Sequence, residues 1–186
     1  GIKGSNTQDD IVGDDNANII YTNKGDDAVS LNGGDDVAFA GDGNDYLKGD
    51  SGNDTLYGED GNDILIGGIG DDLLVSGIGK NTLLGDEGVD RVLYKGISTD
   101  FQVMFYDERT IFVKSLDGKT LDTLKDIEEL VFDDAVFKID YENKTLVKKV
   151  VFEGYETPNQ TKQSNFNQAS ILATAIAIGT TATAQT

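Results

Sequence analysis

The chain has 186 residues, enough for one ordinary domain or two small ones, with 34 Asp and Glu against 15 Lys and Arg. Its formal charge of −19 argues against binding to nucleic acid or anionic membranes, because both require a basic face. Cys and His are absent, which leaves no disulfide, no thiolate metal site and no histidine chemistry. No apolar run approaches the roughly 18 residues that would indicate a membrane span.

Charge is distributed unevenly along the chain. The start, GIKGS, has neither Met nor a signal-like segment, which favours a fragment from the C-terminal end of a longer protein. Residues 4–93 contain 20 acidic and 4 basic side chains, whereas residues 94–186 contain 14 and 10. No charged side chain follows Lys162. We therefore divide the chain into three regions, 4–93, 94–152 and 153–186.

A nine-residue repeat fills residues 4–93 without an insertion. In its ten units the eighth position is always apolar, the sixth is Asp or Asn, and the fourth is Gly in eight consecutive units. One such unit makes only a short strand and a turn, so units must stack to bury the apolar side chain. Two units per coil predict an all-β fold, a right-handed parallel β-roll with the eighth-position side chains between two sheets.

Turns that lie 18 residues apart stack on the same edge of such a roll. We call one the Asp45 edge, with Asp9, Asp27, Asp45, Asp63 and Asn81 at the sixth position. The other is the Asp54 edge, with Asn18, Asp36, Asp54, Asp72 and Asp90. Adjacent strands lie ~4.8 Å apart, so these carboxylates repel one another unless cations lie between them. An oxygen-only ligand set favours calcium, and four gaps per edge accommodate up to eight ions.

Two of the units, GEDGNDILI and GGIGDDLLV, resemble the GGxGxDxUx nonapeptide of the RTX family (repeats in toxin, haemolysin type). In that family each calcium takes oxygens from positions two, four and six of one turn. It takes others from positions one, three and six of the turn one coil later. Asn18 and Asn81 supply an oxygen without a charge, so we expect weaker sites there.

The resemblance implies a set of metal ligands spread over the turns. The carboxylate ligands are Asp27, Asp36, Asp45, Asp54, Asp63, Asp72 and Asp90. The remaining ligands, mainly backbone carbonyls, come from Asn23, Gly25, Asn32, Gly34, Ala40, Gly41, Asp42, Gly43, Gly49, Asp50, Ser51, Gly52, Gly58, Glu59, Asp60, Gly61, Gly67, Gly68, Ile69, Gly70, Gly85 and Glu87. Because the repeat register accounts for every acidic pair, we predict no catalytic residue and no organic cofactor.

Residues 94–152 alternate apolar and polar side chains between turn signals such as LDGK, which predicts antiparallel strands. Within them, LDTLKDIEELVFDD resembles a short element that follows RTX repeats in secreted proteins. We expect this region, here called the cap, to cover the open end of the roll, since solenoid ends require covering. Its acidic residues Asp126, Glu128 and Glu129 are expected to be solvated surface.

Residues 153–186 are predicted to be a flexible tail rich in Asn, Gln, Ser, Thr and Ala. The tail carries one apolar patch, from Ile171 to Ile178. Its position after RTX repeats implies an uncleaved signal for type I secretion.

Together with the acidic turns, the resemblance to RTX proteins implies a calcium-binding module of a larger bacterial protein, exported through the type I machinery to the extracellular space. Calcium is expected to drive its folding there, and the folded module is expected to stabilise an upstream domain. One alternative is the non-catalytic tail of a secreted protease, lipase or polysaccharide-modifying enzyme, such as one resembling alginate epimerases, that contacts a polysaccharide. Another is an adhesive or surface-layer solenoid. The outward aromatic residues Tyr21, Phe39, Tyr46 and Tyr57 look irregular, which argues against the adhesive solenoid.

Overall fold

A computed structural model describes residues 1–149, which form 17 β-strands and one 3₁₀ turn at Ser98–Asp100. The eleven strands of the roll are β1 Ile2–Lys3, β2 Asp10–Val12, β3 Ile19–Lys24, β4 Ala28–Ser30, β5 Val37–Asp42, β6 Tyr46–Ser51, β7 Thr55–Asp60, β8 Ile64–Ile69, β9 Leu73–Val75, β10 Thr82–Glu87 and β11 Arg91–Leu93. The predicted tail, 153–186, and the end of the predicted cap lie outside the described residues.

The strands of the roll alternate between two parallel sheets. The first contains β1, β3, β5, β7, β9 and β11, and the second contains β2, β4, β6, β8 and β10. Paired residues are 18 positions apart, as in Ala38 with Leu56 and Leu47 with Leu65. One coil is therefore two nonapeptides. The predicted all-β parallel β-roll is confirmed.

The core lies between the two sheets and follows the repeat period. Every eighth-position side chain from Ile20 to Val92 is buried. First-position side chains join this core where the unit does not begin with Gly, as at Leu31 and Ala40. Units that begin with Gly have no side chain at the first position, so the repeat pattern does not show this second contribution to the core. Burial of these aliphatic side chains is the main source of stability that the short strands share.

The cap extends both sheets beyond the repeats. Its strands are β12 Phe101–Phe105, β13 Thr110–Ser115, β14 Leu121–Lys125, β15 Glu129–Val131, β16 Val136–Asp140 and β17 Thr145–Lys148. Strand β14 pairs in parallel with β10, and β15 pairs in parallel with β11. The other cap pairings, β12 with β13, β13 with β14, β15 with β16 and β16 with β17, are antiparallel. The described part of the cap is thus continuous with the roll.

Three outward aromatic side chains form a regular row, which corrects the expectation of an irregular surface. Tyr21, Phe39 and Tyr57 occupy the ninth position of alternate units on the first sheet. Their rings stack nearly parallel, with centroids 4.8 Å and 4.6 Å apart. Tyr46 belongs to the second sheet. The row was missed because its period is 18 residues and not nine. In the described part of the chain, no helix has the length and apolar character needed to cross a membrane.

Candidate metal-binding turns

Eight of the ten turns of the repeats contain two residues with positive φ. From the third unit onward the second and fourth positions both have positive φ. Gly fills the fourth position throughout, whereas the second also holds Asn23, Asn32, Asp50, Glu59 and Asp86, with φ between 69° and 81°. L residues adopt this conformation at a cost, so the repeated turn geometry is imposed by stacking of the coils.

The fourth-position glycines are required by the close approach of successive turns. A Cβ placed on Gly43 would overlap the carbonyl oxygen of Gly25, and one on Gly61 would overlap the carbonyl oxygen of Gly43. Any larger residue would push the coils apart, so the spacing of the sixth-position carboxylates depends on these glycines.

The sixth-position side chains form one hydrogen-bonded ladder on each edge. The amide of Asp54 donates to Oδ1 of Asp72, 2.7 Å away, and Oδ1 of Asp54 accepts from the amide of Asp36, 2.8 Å away. Equivalent bonds of 2.6–3.0 Å connect every consecutive pair on the two edges. One oxygen of each carboxylate is therefore used to hold the neighbouring coil.

The second carboxylate oxygen of these residues is buried and has no hydrogen-bond partner within residues 1–149. This holds for Oδ2 of Asp27, Asp36, Asp45, Asp54, Asp63, Asp72 and Asp90. A buried anionic oxygen without a partner is costly, so the arrangement fits a bound cation. At Gly49, an added Cβ would overlap both Oδ2 of Asp54 and the carbonyl oxygen of Gly67. These two atoms, predicted as ligands of one ion, therefore border the same small space.

Burial and mutual repulsion disfavour the charged form of these carboxyl groups. Burial raises the pKa of Asp63 and Asp72 to about 7, against an ordinary value of 3.8. Burial likewise raises the pKa of Asp45 and Asp54 to about 6. Hydrogen bonds from neighbouring amides lower these pKa values, and neighbouring aspartates raise them further. A cation between the turns would reverse this balance by favouring the carboxylates.

The remaining predicted ligands present backbone atoms, and not acidic side chains, to the two edges. First-position Ala40, Gly49, Gly58, Gly67 and Gly85 are buried. Side chains at the third position are exposed, namely those of Asp42, Ser51, Asp60, Ile69 and Glu87. The carbonyl oxygens of those third-position residues accept hydrogen bonds from the fourth-position amides of Gly25, Gly34, Gly43, Gly52 and Gly70, one coil earlier, at 2.8–3.0 Å.

The carboxylates of Asp50 and Asp42, at a second and a third position, bond to other side chains. Asp50 pairs with Lys48 and accepts a hydrogen bond from the Ser30 hydroxyl at 2.7 Å, and Asp42 pairs with Lys24. Second-position Asn23 and Asn32 donate from their side-chain amides to the carbonyls of Gly4 and Gly13, at 2.9 Å and 2.8 Å. Gly41, Gly68 and Glu59 at the same position also have positive φ.

The two N-terminal gaps differ from the rest. The Asp9 carboxylate accepts hydrogen bonds from the amide and the hydroxyl of Ser5. The side-chain amide of Asn18 donates to Asp14 and to the carbonyl of Asn16. Their polar atoms are therefore used within their own turns, which do not offer an unpartnered buried carboxylate oxygen.

Two cap residues that were not among the predicted ligands continue the ladders. The amide of Asn81 donates to Oδ1 of Asp122 at 3.3 Å, and the amide of Asp90 donates to Oε2 of Glu128 at 2.8 Å. Both occupy the place of a sixth-position residue, because β14 and β15 keep the register of the roll. The available signal was an acidic residue two positions before Leu124 and Leu130, as in the repeats.

The expectation that Asp126, Glu128 and Glu129 are solvated surface is wrong. Asp126 and Glu129 are buried, and Glu128 is half-buried. Asp126 pairs with Arg109, and Glu129 pairs with Lys149. Their burial follows from the docking of β15 against the last coil of the roll.

In residues 1–149 no group of three or more acidic side chains is placed to hold a metal ion, so any ion in the turns depends on backbone oxygens as well as carboxylates. A search of the curated proteins finds no match. The model of the family described as the RTX calcium-binding nonapeptide repeat matches in four copies, over residues 3–38, 39–74 and 66–93. Together with the parallel β-roll and its stacked acidic turns, this match shows that the chain belongs to the RTX family through its calcium-binding nonapeptide repeats.

Proposed function

We propose that calcium binds between stacked turns of the roll and that this binding drives folding after type I secretion. The observation that carries the proposal is the set of buried carboxylate oxygens without partners. Six of them, in Asp27, Asp36, Asp45, Asp54, Asp63 and Asp72, belong to turns on which another turn of the repeats is stacked, 18 residues later in the chain. We therefore assign six between-turn sites, fewer than the eight that four gaps on each edge would accommodate.

The residues of each site have distinct tasks. Calcium, when bound, supplies the positive charge that offsets the stacked carboxylates. Sixth-position Asp residues offer Oδ2 as a ligand while Oδ1 fixes the next coil. First-position carbonyls such as that of Gly67 add a neutral oxygen. Left-handed second and fourth positions let two successive turns approach closely enough to share an ion.

Calcium dependence of folding follows from this charge arrangement. Residues 4–93 carry 20 acidic and 4 basic side chains, and the sixth-position acids are buried. The unfolded chain keeps these charges apart and hydrated, so ions that bind only the folded roll stabilise it. Calcium is scarce in the cytoplasm and abundant outside the cell. RTX repeats are typical of type I secreted proteins, which supports an extracellular site of folding and stabilisation of an upstream domain.

A calcium titration of the chain, followed by far-ultraviolet circular dichroism, tests the proposal. We expect β structure to form cooperatively, with a midpoint of about 10⁻⁴–10⁻³ M, the range of extracellular calcium modules. Magnesium at equal concentration should produce little change, because it requires a smaller and more regular octahedral shell. A chain whose β signal is complete in chelator at pH 8 would overturn the proposal.

Contact with a polysaccharide is a second candidate function, and the aromatic row favours it. Tyr21, Phe39 and Tyr57 present ring edges on the first sheet, and Tyr21 is 40% exposed. A shallow depression lined by Tyr21 and Phe39 is also lined by Asn23, Lys24, Asp42 and Glu59, which offer donors and acceptors for sugar hydroxyls.

Substitution of the aromatic row tests this second candidate. Tyr21→Ala should reduce retention on immobilised neutral or acidic polysaccharide. Tyr46→Ala, on the opposite sheet, should not. Equal retention of both variants and the original chain would reject polysaccharide contact at this face.

A further inference from the structure

The carboxylate of Asp90 has the same environment as the sixth-position carboxylates inside the roll, although no repeat follows it. Asp90 is fully buried, and its Oδ1 accepts a hydrogen bond from the amide of Asp72 at 2.9 Å. Its Oδ2 is buried and has no hydrogen-bond partner among residues 1–149. In the repeats, a buried Oδ2 without a partner, such as that of Asp54, faces the next turn. Here it faces the cap.

The cap places oxygen atoms where the next turn would place them. Glu128 stands one coil beyond Asp90 in register, since Arg91 pairs with Glu129. A Cβ added to Gly85 would overlap both Oδ2 of Asp90 and the carbonyl oxygen of Asp126. A Cβ added to Gly49 would likewise overlap Oδ2 of Asp54 and the carbonyl oxygen of Gly67. The carbonyl of Asp126 thus replaces a first-position carbonyl of the repeat.

Glu128 replaces the sixth-position carboxylate. Its Oε2 accepts the hydrogen bond from the amide of Asp90, at 2.8 Å. The neighbouring cap acids are neutralised by basic side chains, Asp126 by Arg109 and Glu129 by Lys149 and Arg91. Within residues 1–149 Glu128 forms no ion pair. Its negative charge therefore adds to that of Asp90, as two aspartates do in a gap of the roll.

The Asp45 edge ends differently. Oδ1 of Asp122 accepts from the backbone amide and the side-chain amide of Asn81, and its Oδ2 accepts from the Tyr94 hydroxyl at 2.9 Å. Both oxygens of this terminal carboxylate are therefore partnered by protein groups. Neither Asn81 nor Asp122 has a buried polar atom without a partner. Hydrogen bonds close this end and leave no acidic oxygen for a cation.

We propose that the junction of the roll with the cap holds a seventh calcium site, bound by the carboxylates of Asp90 and Glu128 and the main-chain carbonyl of Asp126. The site rests on the proposed function, since it extends between-turn binding to the end of the Asp54 edge. It gives the cap a direct part in calcium binding. Calcium and the cap therefore stabilise each other on this edge.

Anomalous diffraction from crystals of the full chain grown in calcium tests the site. We expect a peak between Asp90 and Glu128 in addition to peaks between the turns. Peaks between the turns with none at Glu128 would overturn the seventh site and leave the proposed function intact. Absence of peaks in every gap would overturn both.

A count of bound calcium in solution provides a second test. Glu128→Gln keeps an acceptor for the Asp90 amide but removes the charge, so the fold should be retained. Equilibrium dialysis of the full chain should give seven ions for the original sequence. Glu128→Gln should weaken one site by about tenfold or more, so that its occupancy falls to about half or less at the calcium level that just fills it in the original chain. Glu142→Gln, at an exposed cap residue, should keep seven. Seven ions of unchanged affinity in Glu128→Gln would contradict the assignment.

Discussion

The backbone amide of Asn81 lies 3.3 Å from Oδ1 of Asp122, although 41 residues separate them in the chain. Each preceding step on the same edge spans 18 residues. The cap therefore completes the ladder with an Asp that the repeat does not supply. The intervening residues include the antiparallel pair β12–β13, which continues the second sheet. The roll and the described part of the cap thus share one hydrogen-bonded framework.

Tyr94 is expected to stabilise this closure. Its hydroxyl donates to Oδ2 of Asp122, and both side chains are buried. Tyr94→Phe removes a hydrogen bond to a buried carboxylate, so we expect a loss of about 1.5–3 kcal/mol in the free energy of unfolding. Urea unfolding in saturating calcium measures it. Tyr106→Phe, at a residue 69% exposed, should change stability by less than about 0.5 kcal/mol. Equal losses in the two variants would show that the closure is unimportant.

Removal of the cap should impair folding of the roll. A fragment ending at Leu93 loses Asp122, Glu128 and the two strands that pair with β10 and β11. We expect it to require much more calcium to fold, or to stay unfolded, because a solenoid with an open end loses the stabilising interface with a neighbouring unit. A fragment ending at Phe152 should fold almost like the intact chain. If the Leu93 fragment folds at the calcium level of the intact chain, the cap is not needed for folding of the roll.

Asp54→Ala should raise the calcium midpoint of folding by about tenfold or more. Asp54 faces the gap to Asp72 with Oδ2, and its Oδ1 accepts from the Asp36 amide, so the substitution affects two neighbouring gaps. Asp10→Ala serves as the control, because Asp10 is an exposed seventh-position residue. The measurement is a pair of calcium titrations at fixed protein concentration. Similar midpoints for the two variants would contradict the assigned register.

Acid should favour the calcium-free roll. Burial raises the pKa of Asp63 and Asp72 to about 7 and that of Asp45 and Asp54 to about 6, all above the ordinary 3.8. The folded roll therefore binds protons more tightly than the unfolded chain does. Its stability rises as pH falls through 7 and 6, and the gain is complete below about 4.

Circular dichroism in chelator between pH 8 and pH 5 measures this effect, and β content should increase towards pH 5. In the presence of calcium the direction reverses, because protons compete for the same carboxylates. The calcium midpoint should then rise as pH falls. A β signal in chelator that does not change between pH 8 and pH 5 would contradict the burial of these groups.

The roll and its ladder residues were predictable from the sequence because one period governs both. An apolar eighth position and an acidic sixth position define strand register and edge at once, as at Leu56 and Asp54. Glu128 and Asp122 could not be placed by counting, since the insertion before them breaks the period. The aromatic row was visible only at a period of 18 residues, the length of one coil.

Hydrogen exchange, read residue by residue in the full chain, tests most directly whether calcium between the turns holds the roll together. In chelator at pH 8, the amides of β5 to β8 should exchange at the rates of an unfolded chain, because the sixth-position charges have no counterion. In millimolar calcium the same amides should become strongly protected, and equal magnesium should give little protection. Strong protection of these strands in chelator at pH 8 would contradict the calcium dependence of the roll.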